Sequence, residues 1–198
     1  FTLDYGSAPY GVVFTPDGTK GLLTLAGKST LAVFNPSTGA ITRRVTLPEG
    51  GDVRGIAVSA DSRTAYVTRF RSKMARGEVY KVNLATTAAP VVIALPVDTT
   101  TPATEAAAPG VANYMNQIVI SPDGRRAVLP SKKDNIVQGR FRKQIDLKAD
   151  TTVRSILSQL DLAQGREVFA EQIDFNNRAP ARAAIFAPSG NYLFVAEM

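Results

Sequence analysis

Neither cysteine nor histidine occurs in the 198 residues. Their absence removes disulfides, thiolate nucleophiles, covalent c-type haem attachment, His-based metal sites and His-dependent triads from this segment. It leaves the redox compartment open, because disulfide-free chains serve both the cytosol and the periplasm. Long apolar runs are missing too. Nothing approaches the roughly 18 consecutive apolar residues of a membrane span, and no charged-then-apolar leader opens the chain. What remains is ordinary globular composition, 44% hydrophobic and 20% charged, in a chain long enough for a real core. The formal net charge of +6 favours acidic partners without choosing among nucleic acid, lipid and protein.

One pattern organises the chain. In Gln117-Ile118-Val119-Ile120-Ser121-Pro122-Asp123-Gly124-Arg125-Arg126-Ala127-Val128-Leu129 an apolar run meets a tight polar turn and a second apolar run follows. It recurs around Thr15-Pro16-Asp17-Gly18, Ser59-Ala60-Asp61-Ser62 and Ala187-Pro188-Ser189-Gly190. Each is a hairpin signal. The first unit predicts strands over Tyr10–Thr15, Lys20–Ala26, Ser29–Asn35 and Ala40–Leu47. The second predicts Arg54–Ser59, Thr64–Phe70, Glu78–Asn83 and Val91–Val97, and the third Asn116–Ser121, Arg126–Ser131, Val153–Asp161 and Glu167–Ile173. A fourth begins with Arg182–Ala187 and Asn191–Glu197. The turns between third and fourth strands match as well, at Asn35–Gly39, Asn83–Thr87 and Asp161–Gly165.

Successive turn positions (Pro16, Ala60, Pro122, Pro188) lie 44, 62 and 66 residues apart. The first spacing is that of a four-stranded propeller blade of roughly 40–45 residues, and the longer two carry insertions. A sandwich of unrelated hairpins would leave one turn chemistry recurring four times unexplained. The predicted fold is therefore all-β: a partial β-propeller of about four four-stranded antiparallel blades, a fragment of a seven-bladed propeller. Its units are a blade tail at 1–7, blades at 8–51, 52–110 and 111–178, and a partial blade at 179–198. Val13, Ala57, Val119 and Ile185 should then be equivalent. Starting and ending inside a repeat, the chain reads as part of a longer protein, and alone it would expose raw strand edges.

Tyr66-Val67-Thr68-Arg69, the Ser-Pro-Asp-Gly turn and Asn35-Pro36-Ser37-Thr38-Gly39 resemble the YVTN-type β-propeller repeat of bacterial and archaeal secreted proteins, with Arg69 in place of that family's Asn and Ala60-Asp61-Ser62 in place of Pro-Asp-Gly. Pro130-Ser131-Lys132-Lys133-Asp134-Asn135-Ile136, with Val153-Arg154-Ser155-Ile156 and Asn191–Ala196, is similar to propeller regions that precede di-haem cytochrome peroxidase-like domains. The resemblance implies a periplasmic or extracellular protein with haem in a neighbouring domain. The Cys-x-x-Cys-His motif of those haem domains is absent here, so no cofactor is expected in this segment.

The insertions fall at Arg71–Gly77, Ser131–Thr152 and Asp98–Tyr114, loops that leave a four-stranded blade on one face. That face is basic: Arg69, Arg71, Lys73 and Arg76 have no acidic neighbour in their segment, and Lys132, Lys133, Arg140, Arg142, Lys143 and Lys148 outnumber Asp134, Asp146 and Asp150. It is either a solvated loop surface or an electrostatic docking face for an acidic protein partner or neighbouring domain. Six residues before each turn position stand Tyr10, Arg54, Asn116 and Arg182, which should ring the mouth of the central channel. They form either a carboxylate or phosphate site or an ordinary water-filled mouth.

Asp17, Asp61 and Asp123 are explained fully by turn hydrogen bonding, and the spacing of Asp134, Asp146 and Asp150 lacks the Asp-x-Asp-x-Asp-Gly loop of a calcium site. Nucleic-acid binding is disfavoured, since only Phe70 and Phe141 interleave with the basic residues. Two functions of different classes fit. One is a non-catalytic binding or docking propeller in a larger exported protein, accessory to the haem-containing redox domain that the resemblance implies. The other is a propeller enzyme, such as a lactonase-like hydrolase, with its site at the channel mouth.

Overall fold

The computed structural model describes residues 2–48, 52–142, 146–176 and 179–197. Lys143 lies outside them. The first sheet is β1 (Pro9–Phe14), β2 (Gly21–Leu25), β3 (Thr30–Phe34) and β4 (Ile41–Thr46), antiparallel in that order. The second is β5 (Val53–Val58), β6 (Thr64–Arg69), β7 (Arg76–Asn83) and β8 (Val91–Pro96) in the same order. A third contains β9 (Val111–Asn113), β10 (Val119–Ile120), β11 (Arg126–Asp134), β12 (Val153–Asp161), β13 (Arg166–Glu167) and β14 (Ile173–Asp174). The last pairs β15 (Ala181–Phe186) with β16 (Leu193–Glu197). These are propeller blades.

Register establishes the repeat. Val13 faces Leu22, Ala57 faces Tyr66, Val119 faces Val128 and Ile185 faces Phe194. Each pair sits at the same distance from its turn. In the turns, Asp17, Asp61 and Asp123 accept hydrogen bonds from Thr15, Ser59 and Ser121 hydroxyls and from the backbone N–H groups of Thr19, Arg63 and Arg125. The Thr15 hydroxyl is the largest influence holding the exposed Asp17 carboxyl down at about 2. At the outer turns Asn35, Asn83 and Asp161 each accept two backbone N–H bonds through Oδ1.

Strand alternation sends successive side chains to opposite faces, and each face meets a neighbouring blade. Leu22, Leu31 and Val33 pack against Ile56, Val67 and Tyr80 between the first two sheets. From β6 the intervening Tyr66 turns the other way, into a cluster with Ile93, Met115, Leu129 and Ile156. Val128 and Leu157 leave that cluster for Ala184 and the partly buried Phe186 and Leu193. No blade buries both faces alone, so the core is a series of interblade layers.

The third blade departs from expectation. Its inner strand is only Val119–Ile120, with the unexpected Val111–Asn113 paired to Lys132–Asp134. In the first two blades a buried threonine hydroxyl, Thr24 or Thr68, accepts from the inner-strand N–H of Gly11 or Gly55 at 2.8 Å. The matching position here is Pro130, which has no hydroxyl and no N–H, and the pairing lapses. The outer strand expected over Glu167–Ile173 is split by a 3-10 turn at Phe169–Glu171. A single-turn helix, Ala149–Thr152, closes the long insertion. Residues Thr104–Ala107 form a turn, with the Ala106 and Ala107 N–H groups bonded to the Thr104 hydroxyl.

Candidate functional site

Equivalent offsets bring the predicted ring together. Tyr10 Oη donates to Asn116 Oδ1 at 3.2 Å, and Arg54 Nη1 donates to the same oxygen at 3.1 Å. The Arg54 guanidinium lies 4.6 Å from the Tyr10 ring centroid and 3.3 Å from that of Phe70. Phe70 stacks on Tyr114 at 4.5 Å and 20°, and Lys132 Nζ sits 3.9 Å from the Tyr114 centroid. A continuous series of cations and rings thus crosses three blades, each cation–ring contact worth about 0.5–1 kcal/mol where solvent reaches it. Arg54 is further held by Asp52, whose second oxygen takes Arg71 at 2.9 Å. Arg182 stands across a cleft of about 140 Å³ lined by Tyr114, Asn116, Ser131, Lys132, Pro180 and Ala181. It is exposed and, among the described residues, makes no side-chain hydrogen bond or ion pair.

The insertions emerge at one end and bind one another. Ser72 bonds to Asn113 Oδ1 and to the Ala112 carbonyl, and Asn113 Nδ2 donates to Asp134. Arg154, 1% exposed, grips Asp174 with two nitrogens and donates to Asn176 and to the carbonyls of Glu105, Ala106 and Asp150. One arginine therefore ties the interblade connection to the long insertion.

The basic residues are not unopposed, and this corrects the expectation of isolated cations. Glu78, fully buried, receives Arg76 at 2.9 Å, Lys73 at 3.3 Å and Arg69 at 3.7 Å, with Tyr80 Oη donating to its other side. Burial pushes the Glu78 carboxyl up, but bonds from Arg76, Tyr80 and Lys73 outweigh it and hold it below the ordinary glutamate range. Lys132 pairs with Asp134. Lys133, on the opposite face of β11, is buried against Asp98 at 2.7 Å and presents no charge to solvent. Arg140 lies 3.6 Å from the exposed Asp146, and Arg142 is exposed.

Asp98, the partner of Lys133, lines a second cavity of about 230 Å³ together with Pro96, Val97, Glu167 and Phe169. Burial pushes the Glu167 carboxyl up, offset in part by Ser158 and Gln172. Burial pushes Asp98 the same way, but hydrogen bonds from Lys133, Thr101 and Thr100 win and leave it low. Among the described residues no group of three or more His, Cys, Asp or Glu side chains is placed to hold a metal, and no helix is long and apolar enough to cross a membrane.

Asp52, Glu78, Asp98 and Tyr114 were not singled out by the sequence, Phe70 entered only as an aromatic among the basic residues, and Arg154 only within a motif of resemblance. The one signal was a charge inside an apolar alternation, as in Val153-Arg154-Ser155-Ile156.

No protein-family model and no curated protein matches the chain. Solved structures do. Hydrazine synthase of Kuenenia stuttgartiensis is similar over 99% of this chain and 57% of its own, at 15% identity and a TM-score of 0.53. A candidate 6-phosphogluconolactonase from Bacteroides fragilis is similar over 89% and 42%, at 16% identity and 0.54. A protein from Lactobacillus plantarum is similar over 87% and 43%, at 18% and 0.51. The chain spans between 42% and 57% of the length of these relatives. At such identities the likeness speaks for the fold alone, and that fold is the β-propeller.

Proposed function

We propose that the chain is a non-catalytic docking propeller within a larger exported protein, where it serves a haem-containing redox domain and meets an acidic partner surface at its loop-bearing end. The observation that supports binding over catalysis is the state of the carboxylates there. Asp52, Glu78 and Asp98 are each engaged by one or more cations and none is free to act as a general base. The mouth is pre-arranged by bonds between blades, which lowers the cost of ordering on association. Arg140, Arg142 and Arg182 remain exposed to meet acidic groups. Membership of a larger propeller is supported by partial coverage of the solved chains and by apolar residues left exposed on the outer sheets, Val12 and Phe14 on the first and Ile185 and Phe194 on the last.

The test is made on the full-length protein and its separated haem domain. A c-type haem spectrum should accompany the full-length chain. Association of the two parts should slow as salt rises, since exposed charges are screened beyond about 8 Å at physiological ionic strength. Reversing Arg140 and Arg142 to Glu should slow it at low salt. No haem, or a rate indifferent to both salt and charge reversal, overturns the proposal.

The likeness to a candidate 6-phosphogluconolactonase favours a second reading, a lactonase-like hydrolase with its site at the mouth. Lactone turnover that disappears in Arg54→Ala would replace the first reading with this one.

A further inference from the structure

We infer that the cleft between Tyr114 and Arg182 is a binding site for a small carboxylate carried on a compact, partly apolar body. The inference deepens the docking function by naming what the mouth recognises, and it does not depend on the haem partner. It follows from counting donors. Asn116 Oδ1 accepts from both Tyr10 Oη and Arg54 Nη1. An amide accepting two donors through its oxygen has its orientation fixed, because the reverse would set its NH₂ against them. Its Nδ2 is then a committed donor, and Asn116 lines the cleft. Lys132 Nζ, anchored on the Tyr114 ring and by its ion pair with Asp134, keeps N–H groups available. Arg182 supplies a guanidinium that no described side chain occupies.

Amide, ammonium and guanidinium therefore converge, and no carboxylate lines the cleft: its side-chain oxygens are the Tyr114 hydroxyl, the Asn116 amide oxygen and the Ser131 hydroxyl, which donates to the Leu129 carbonyl. Such a site asks for an oxyanion. The rest of the lining is the Tyr114 ring with Pro180 and Ala181, which suits an apolar body rather than a bare inorganic ion. At about 140 Å³ the cleft holds several times a water's share of about 30 Å³. Arg54, in contrast, is committed to Asp52, Asn116 and two rings, so it positions the amide and does not touch the ligand.

Benzoate is the probe, with inorganic phosphate as the bare-oxyanion comparison, followed by NMR shifts and calorimetry on the full chain. Benzoate should bind with a Kd of about 1 mM or tighter, shift Asn116, Lys132 and Arg182, and bind more tightly than phosphate. Asn116→Asp is the decisive variant. It still accepts from Tyr10 and Arg54, but it faces the cleft with an anionic oxygen in place of a donor. Binding should fall by more than about tenfold with melting behaviour unchanged. Arg182→Ala should weaken it by about tenfold and Arg182→Lys by less, and Arg44→Ala, at an exposed cation on the outer strand of the first sheet, should leave it alone. Benzoate binding that survives Asn116→Asp, or phosphate binding without benzoate binding, overturns the inference. So does absence of any benzoate binding, and if salt-dependent association with the haem domain persists in that case, the docking function stands without this site.

Discussion

Glu78 shows how a single residue organises one end of the molecule. A buried carboxylate alone would be costly or would take up a proton. Here Arg69, Lys73 and Arg76 lie around it and Tyr80 completes its hydrogen bonding. Replacing it by glutamine should cost about 2–3 kcal/mol in urea unfolding, somewhat below the roughly 3–5 kcal/mol of a fully buried broken pair, because the cations keep access to water. The pH dependence has a definite sign. A carboxyl held low in the folded state stabilises it fully above the ordinary value of 4.5, and that stabilisation is lost as pH falls through the lower folded value. Wild type should therefore lose stability below pH 4.5 more steeply than Glu78→Gln. Parallel curves for the two proteins would refute this role.

At the scale of strands, blades are joined through the backbone. The Thr68 hydroxyl, fully buried, accepts from Gly55 N–H and donates to the Met115 carbonyl of the next blade at 2.7 Å, and Thr24 does the same between Gly11 and the Arg54 carbonyl. The glycines are required by close approach. A Cβ on Gly55 would lie 2.8 Å from Gln117 Cα, and one on Gly11 would lie 2.4 Å from the Arg54 carbonyl oxygen. Thr68→Val should cost about 1–3 kcal/mol by leaving buried backbone groups unpaired, and Gly55→Ala a similar amount by overpacking. Gly55→Ala should also weaken benzoate binding, since the intruding methyl pushes the chain at Asn116 and Gln117. Chemical denaturation beside ligand titration separates the two effects. Unchanged affinity in a destabilised Gly55→Ala would show that the mouth is indifferent to blade spacing.

At the scale of the whole molecule, interblade layers leave two apolar faces without a neighbour. Val12 and Phe14 point away from the second sheet, and Ile185 and Phe194 point away from the third. Purified alone, the 198-residue chain should self-associate as concentration rises. Phe14→Lys with Phe194→Lys should suppress the association at a cost under about 0.5 kcal/mol per exposed site. Sedimentation over a concentration series measures it. A chain that stays monomeric before substitution would show that these faces are harmless.

The sequence by itself determined the blades. Strand alternation, the Asp-centred turns and their spacing are local, and local hydrogen bonds donated by backbone N–H groups to Asp17, Asp61 and Asp123 enforce them wherever the chain goes. The offset of Tyr10, Arg54, Asn116 and Arg182 from those turns was equally legible, because a repeat carries its geometry in its numbering. What only the tertiary structure decided is which charges meet. Asp52 reaches Arg71, Asp98 reaches Lys133 and Arg154 reaches Asp174 across 19, 35 and 20 residues, and none of those separations is a multiple of the repeat. Ion pairing depends on distances of a few ångströms between side chains far apart in the sequence, and no property of either residue's own neighbourhood fixes that distance. For the same reason, composition made the loops a field of unopposed cations and packing made most of them internal ties, with Arg140 and Arg142 left exposed.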